Sequence, residues 1–211
     1  MFLPRLILLA GHKQAGKTTA ADFMINELTK EDCDAFKYSF ADVLKEFCIK
    51  NNWIKYEQAY GTDKEKNSNT KLIWNNMPRV DTSKEYPSRN MTAREVLQFI
   101  GTDIFRKIDP DIWVNLLLNK INKEYEEYAM PDISIIDDCR FPNEISLLKQ
   151  YGAKVIYLTR KIHKDDHISE NLLSKIDKDQ FDFIINNQNY SLEQLEKEVK
   201  SIRKKMFDES N

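Results

Sequence analysis

Glycine is scarce here, five in a chain of 211 residues. No low-complexity segment and no internal repeat is visible, which excludes a repeat array or a glycine-rich linker protein. Cysteine is scarcer still. Cys33, Cys48 and Cys139 show neither paired spacing nor a metal-ligand pattern, so a disulfide scaffold and a zinc module are excluded and a reducing cytoplasm is expected. An excess of either charge is also lacking: 32 Lys and Arg stand against 34 Asp and Glu, for a net charge of −2. That balance argues against a nucleic-acid-binding surface. No apolar stretch approaches membrane length, so no membrane partner is expected. What remains is one domain's worth of chain, 41% hydrophobic, enough to bury a full core.

Two of the five glycines fall in one motif, Gly11-His12-Lys13-Gln14-Ala15-Gly16-Lys17-Thr18. It fits G-x-x-x-x-G-K-[ST], a loop whose backbone amides turn inward on phosphate oxygens. Its lysine reaches the β- and γ-phosphates and its hydroxyl ligates Mg²⁺. The context fits too. Leu6 to Ala10 has strand length, and Thr18 to Thr29 reads as a helix, which puts the loop at a helix N-terminus. The apolar start is read as the first strand rather than a signal peptide, because it runs directly into this loop.

Further along, Phe36, Tyr38 and Phe40 alternate with polar residues as in a strand, and a helix is expected from about Asp42 to Asn51. Periodicity fades from Trp53 to Asn90, where Trp53, Tyr56, Tyr60 and Trp74 favour an ordered flap. Thr92-Ala93-Arg94-Glu95 is a capping box. Val96, Ile100, Ile104 and Ile108 then form an apolar stripe, opposed by Arg94, Gln98, Thr102 and Arg106. Arg94 and Arg106 would stand about 18 Å apart on an ideal helix, too far to clamp one phosphate together. Gly101 in mid-helix implies that something approaches the backbone there.

Asp109-Pro110 is read as the start of the next helix. Ile133 to Ile136 reads as a strand ending in Asp137-Asp138, the acidic strand end that a phosphate loop needs to hold Mg²⁺ or its water. Helices and strands alternate to Ser191-Leu192-Glu193-Gln194, a second capping box before the last helix. This alternation predicts an α/β fold, a three-layer α/β/α arrangement around a mostly parallel sheet of about five strands. His163 and His167 with Asp165 and Asp166 are read as part of a charged segment, not a metal site.

The chain resembles the deoxynucleoside monophosphate kinases of bacteriophages, within the P-loop nucleoside monophosphate kinase group. Five stretches carry the likeness: the loop Gly11–Thr18, Ser39 to Lys45, Arg94 to Asp103, Asp138 to Glu144, and His167 to Glu170 ahead of Ile184 to Asn187. They span roughly Arg5 to Leu195. The resemblance implies a single domain over 1–211, with a substrate-binding region about 41–110 and a lid about 160–178. It implies phosphoryl transfer from ATP, with Mg²⁺, to a deoxynucleoside 5′-monophosphate in the cytoplasm, the host's if the gene is a phage's.

By position, the resemblance makes Lys17, Arg140 and Arg160 catalytic. It gives the ATP phosphates to Gly11, Lys13, Ala15, Gly16, Lys17, Thr18 and Thr19, with Asn187 on the same side. It gives the acceptor to Lys45, Arg94, Gln98, Thr102, Asp103, Arg106, Trp113 and Arg140, and the metal to Thr18 and Asp138, with Asp137 as the rival carboxylate. The oligomeric state is left between monomer and homodimer. Weaker similarity to animal phosphomevalonate kinases keeps a second small phosphorylated acceptor in view. An NTP-hydrolysing protein without an acceptor ranks lower. A switch GTPase would need a guanine-reading aspartate that Asn69-Thr70-Lys71-Leu72 lacks.

Overall fold

A computed structural model describes residues 5–83, 85–129, 131–160 and 176–207. The chain runs through β1 (Arg5–Gly11), α1 (Lys17–Thr29), β2 (Ala35–Tyr38) and α2 (Phe40–Lys50). Two short helices, α3 (Tyr56–Tyr60) and α4 (Asp63–Lys66), precede β3 (Asn69–Ile73) and β4 (Asn90–Thr92). Then come α5 (Ala93–Gln98), a π-helical stretch (Phe99–Phe105), α6 (Arg106–Ile108) and α7 (Ile112–Tyr128). The last elements are β5 (Ile133–Cys139), α8 (Pro142–Gln150), β6 (Lys154–Leu158), β7 (Phe183–Ile185) and α9 (Leu192–Phe207). They form two compact units, Met1–Phe40 with Val114–Asn211, and Ala41–Trp113.

The first unit is built on a five-stranded sheet in the order β2-β5-β1-β6-β7, with every pairing parallel. Leu6 to Ala10 are each 2% exposed or less, as expected of a central strand covered on both faces. On one face Ile7 and Leu9 join Ala20, Ala21, Met24 and Leu28 of α1, and Leu195, Val199 and Ile202 of α9. The spacing of that last trio is the i, i+4, i+7 pattern of a helix with one apolar face. The expected α/β sheet of about five strands is therefore present. Strand order reverses at β1, the switch point outside whose carboxyl end ligands bind in open parallel sheets. Two sequence expectations change at the edges. Phe40 starts α2 instead of ending β2, and α7 begins at Ile112 and not at Asp109.

The second unit has its own core of Cys48, Ile54, Ala59, Met91, Ala93, Val96, Phe99 and Ile100. Trp74 packs edge-on against Tyr86 and Phe99, and Trp53 against Phe47, so both tryptophans of the expected flap join this core. The flap also holds an antiparallel pair that the sequence pattern does not reveal, β3 with β4, registered by Asn69↔Thr92 and Ile73↔Asn90. It is short and polar, and tertiary contacts hold it: buried Thr70 donates its hydroxyl to Met91 O at 2.9 Å.

The capping box at Thr92 is present, with Glu95 N donating to Thr92 Oγ1 and Thr92 N to Glu95 Oε2. The continuous α-helix expected beyond it is not. A π-turn widens the backbone over Phe99–Phe105 and shifts the helical phase of the residues after it. The apolar stripe therefore ends early, leaving Ile108 75% exposed. Gly101 lies inside this turn. A Cβ there would stand 2.5 Å from Leu44 Cδ2, and the Trp113 indole N–H donates to Gly101 O at 2.9 Å.

Candidate active site

The C-terminal ends of the parallel strands gather the site. Gly11 closes β1 with φ +155°, and a Cβ on it would stand 2.7 Å from Leu158 O of β6. Both the torsion and the space therefore call for glycine. The loop turns through Gln14 at φ 60° and enters α1 at Gly16, whose φ of 94° again suits glycine. Lys17, only 6% exposed, folds back so that its ammonium donates to Gly11 O and His12 O, both at 2.7 Å. Asn187 clasps the loop from behind: its amide donates to Ala15 O at 2.7 Å and its oxygen accepts from Arg160 N at 3.0 Å.

In front of the loop lies a cavity of about 360 Å³. The loop and α1 supply Gln14, Ala15, Gly16, Lys17, Thr18 and Thr19; Asp137 and Asp138 come from β5, and Arg140 and Arg160 follow β5 and β6. Three cations, two carboxylates and a helix N-terminus thus share one small space. That combination suits a polyphosphate accompanied by a divalent cation. The structure brings together the expected Ala15, Gly16, Lys17, Thr18, Thr19, Asp138, Arg140 and Arg160. Gly11 and Asn187 support the loop without lining the cavity, and Lys13 is exposed on the loop outside the lining residues.

Gln14 lines the cavity although sequence reasoning did not place it there, and Asp137, the rival carboxylate for the metal, lines it beside Asp138. In a regular strand neighbouring side chains point to opposite faces, so only one of two adjacent aspartates would face the loop. A bulge breaks that rule. Leu8 pairs with Ile136 and Ala10 with Cys139, so two steps along β1 match three along β5. The extra residue re-aims the side chains, and both carboxylates reach the cavity. They do not do the same thing there. Asp138 accepts from Ser39 Oγ at 2.8 Å and from Phe40 N at 2.9 Å, tying β5 to the first residue of α2.

Behind Arg140 sits another residue that the sequence reading left without a role. Glu144 is 1% exposed and accepts from Arg140 N at 2.7 Å and Phe141 N at 2.9 Å. The fully buried Cys139 thiol is pushed well above its ordinary range, first by burial and then by Glu144 and Asp138.

The expected acceptor residues, Arg140 apart, belong to the second unit. Lys45 pairs with Asp42 at 2.9 Å and lies 4.5 Å from the centre of the Tyr60 ring. The Tyr60 hydroxyl is pushed up to about 12 by burial and then by Asp42. Arg94 pairs with Asp63 at 2.9 Å, and Arg106 donates to Pro110 O at 3.3 Å. Gln98 is exposed, and Thr102 and Asp103 are half-buried. Trp113 differs from expectation: at 3% exposure, with its N–H on Gly101 O, it holds the π-turn and does not offer that N–H to a ligand. The lid expected over about 160–178 lies, apart from its ends, outside the described residues, as do His163 and His167.

A sequence model of the deoxynucleotide monophosphate kinase family matches residues 47–199. Among curated proteins, a protein of Acanthamoeba polyphaga mimivirus named after this family is 32% identical over 177 residues, 78% of this chain and 80% of its own. The deoxynucleotide monophosphate kinase of Enterobacteria phage T4 is 26% identical over 95% of this chain and 99% of its own. An unliganded sugar kinase from Janibacter sp. HTCC2649 aligns over 94% of this chain and 93% of its own, at 12% identity and a TM-score of 0.46.

Proposed function

The chain belongs to the deoxynucleotide monophosphate kinase family, and from that premise we propose that it transfers the γ-phosphoryl group of ATP to a deoxynucleoside 5′-monophosphate, giving ADP and a deoxynucleoside diphosphate. The observation that carries the reading is the cavity in which Lys17, Arg140 and Arg160 converge on the phosphate loop beside Asp137 and Asp138. Phosphoryl transfer passes through a loose transition state with charge spread over the equatorial oxygens, so positioned positive charge is what catalysis requires. The acceptor is itself a phosphate with ionised oxygens at neutral pH, and the reaction needs no strong general base.

In this reading the amides of the Gly11–Thr18 loop hold the donor phosphates, as the N-terminus of α1 favours anions. Lys17 exchanges its carbonyl partners for phosphate oxygens, and Arg140 and Arg160 bear on the transferred group. The hydroxyl of Thr18 and the carboxylates of Asp138 and Asp137 are hard oxygen donors facing one cavity, a set that fits Mg²⁺. Bound there, Mg²⁺ would neutralise charge on the phosphates. The second unit, Ala41–Trp113, supplies acceptor binding through Lys45, Arg94, Gln98, Thr102, Asp103 and Arg106. The family match lends no support to a phosphomevalonate-type acceptor or to an acceptor-free ATPase. We assign no nucleic-acid partner. No helix among the described residues is long and apolar enough to cross a membrane.

The test is ADP release from ATP and Mg²⁺ with dTMP, dGMP, dCMP, dAMP, the ribonucleotides or phosphomevalonate. Release that depends on a deoxynucleotide, and disappears in a folded Lys17→Ala variant, is the expected result. ADP release at the same rate without an acceptor would overturn it.

A further inference from the structure

Among the described residues, three glutamates sit three residues into a helix and reach back to its first amides. Glu65 takes Thr62 N at 2.7 Å and Glu95 takes Thr92 N at 2.8 Å, and both keep part of their surface in water. Both also answer a threonine whose hydroxyl caps the helix in return. Glu144 differs on each point. It is 1% exposed, and its partner Phe141 has no side-chain oxygen to offer. Its reach goes one residue further, to Arg140 N as well as Phe141 N. After burial itself, its charge also helps to raise the Cys139 thiol. One carboxylate oxygen therefore gathers two consecutive amides, those of Arg140 and Phe141.

Burying a carboxylate is costly unless hydrogen bonds satisfy it, and a surface glutamate would cap α8 as well. The geometry points to a second role for Glu144, as a positioning residue that fixes the backbone of Arg140 so that its guanidinium enters the cavity shared with Lys17 and Arg160. This rests on the reading of that cavity as the transfer site. The strand end of β5 is bulged two residues earlier, so sheet pairing alone does not set the direction in which residue 140 leaves. Glu144 supplies that constraint through the two amides. An arginine aimed at transition-state charge is sensitive to such placement, since a shift of about 1 Å costs on the order of 100-fold in rate.

The test is a double-mutant cycle between Glu144 and Arg140, read as kcat and both KM values with ATP and the best deoxynucleotide. Glu144→Ala is expected to lower kcat by about 10- to 100-fold with both KM values changed less than about threefold. Glu144→Gln, whose amide oxygen can accept the same two N–H groups, is expected to recover most of the rate. In an Arg140→Ala background, Glu144→Ala should add little further loss. Equal losses in both backgrounds would assign Glu144 a general structural role and overturn the inference, as would unchanged kcat in Glu144→Ala. If Glu144→Ala does not fold, Glu144→Asp takes its place in the cycle. Hydrogen exchange of the Arg140 and Phe141 amides reads the same geometry without turnover, which separates failure here from failure of the kinase reading. Faster exchange in Glu144→Ala than in Glu144→Gln is expected, and equal protection in the two would overturn the inference.

Discussion

The side-chain amide of Asn187 donates to the carbonyl of Ala15 at 2.7 Å, across 172 residues of sequence. The same side chain accepts from Arg160 N at 3.0 Å and is itself 2% exposed. One buried amide thus holds the phosphate loop and the strand end that carries Arg160. Asn187→Ala leaves a carbonyl and an amide unpaired in the interior, a loss of about 1–3 kcal/mol. We expect a lower melting temperature and ATP binding weakened about tenfold, as part of that loss falls on the loop. Asn187→Asp should be worse, because a carboxylate oxygen would face the Ala15 carbonyl. Titration of ATP into each variant decides it, and unchanged affinity in Asn187→Ala would reject the clasp.

Asp137 and Asp138 share a cavity, yet only Asp138 is bonded to Ser39 and to the first amide of α2. Their amide variants should therefore fail differently. Asp138→Asn should raise the Mg²⁺ requirement and also loosen the start of α2, with a measurable fall in melting temperature. Asp137→Asn should raise the metal requirement without loosening the start of α2 if that carboxylate serves Mg²⁺. Activity against Mg²⁺ concentration, measured beside thermal unfolding, separates the two. A metal requirement raised only in Asp137→Asn would move the metal from Asp138 to its neighbour.

Arg94 and Arg106 are candidates for the acceptor phosphate, and both already have partners, Asp63 and Pro110 O. Loss of one charge-assisted contact to phosphate costs roughly 1.5–3 kcal/mol, or about 10- to 150-fold. Arg94→Ala or Arg106→Ala should raise the acceptor KM or lower kcat by that order, with the ATP KM little changed. Gln98→Ala should instead alter the preference among bases. Steady-state kinetics with varied acceptor and varied ATP give the answer. Variants that weaken ATP and spare the acceptor would return this face to the donor.

Glu95 is held well down, at about 2 against an ordinary 4.5, first by its hydrogen bonds from Arg89, with the Thr92 amide and hydroxyl adding to it. A carboxyl depressed in the folded state stabilises the fold above its unfolded value and loses that contribution as pH falls toward the folded one. The second unit should therefore lose stability between about pH 4.5 and about pH 2. Glu95→Gln should be less stable than the parent at pH 7, with the gap closing across that window. Chemical denaturation at several pH values tests it, and a gap that stays constant down to pH 2 would show that Glu95 carries no such linkage.

Short-range signals carried much of this protein in its sequence. The phosphate loop, its strand and helix, the capping boxes at Thr92 and Ser191 and the acidic end of β5 are each set by residues within a few positions of one another. Such spacing is readable because hydrogen bonds at helix starts and glycine torsions are local. Tertiary structure decided what depends on partners far along the chain. The bulge that turns both aspartates into one cavity comes from pairing β5 against β1, more than a hundred residues away. The π-turn at Gly101 is met by Leu44 and Trp113, which no helical period announces. The burial of Glu144 followed the same rule: its spacing reads as an ordinary helix cap, and only packing around Cys139, Arg140 and Phe141 sets it behind the cavity's arginine.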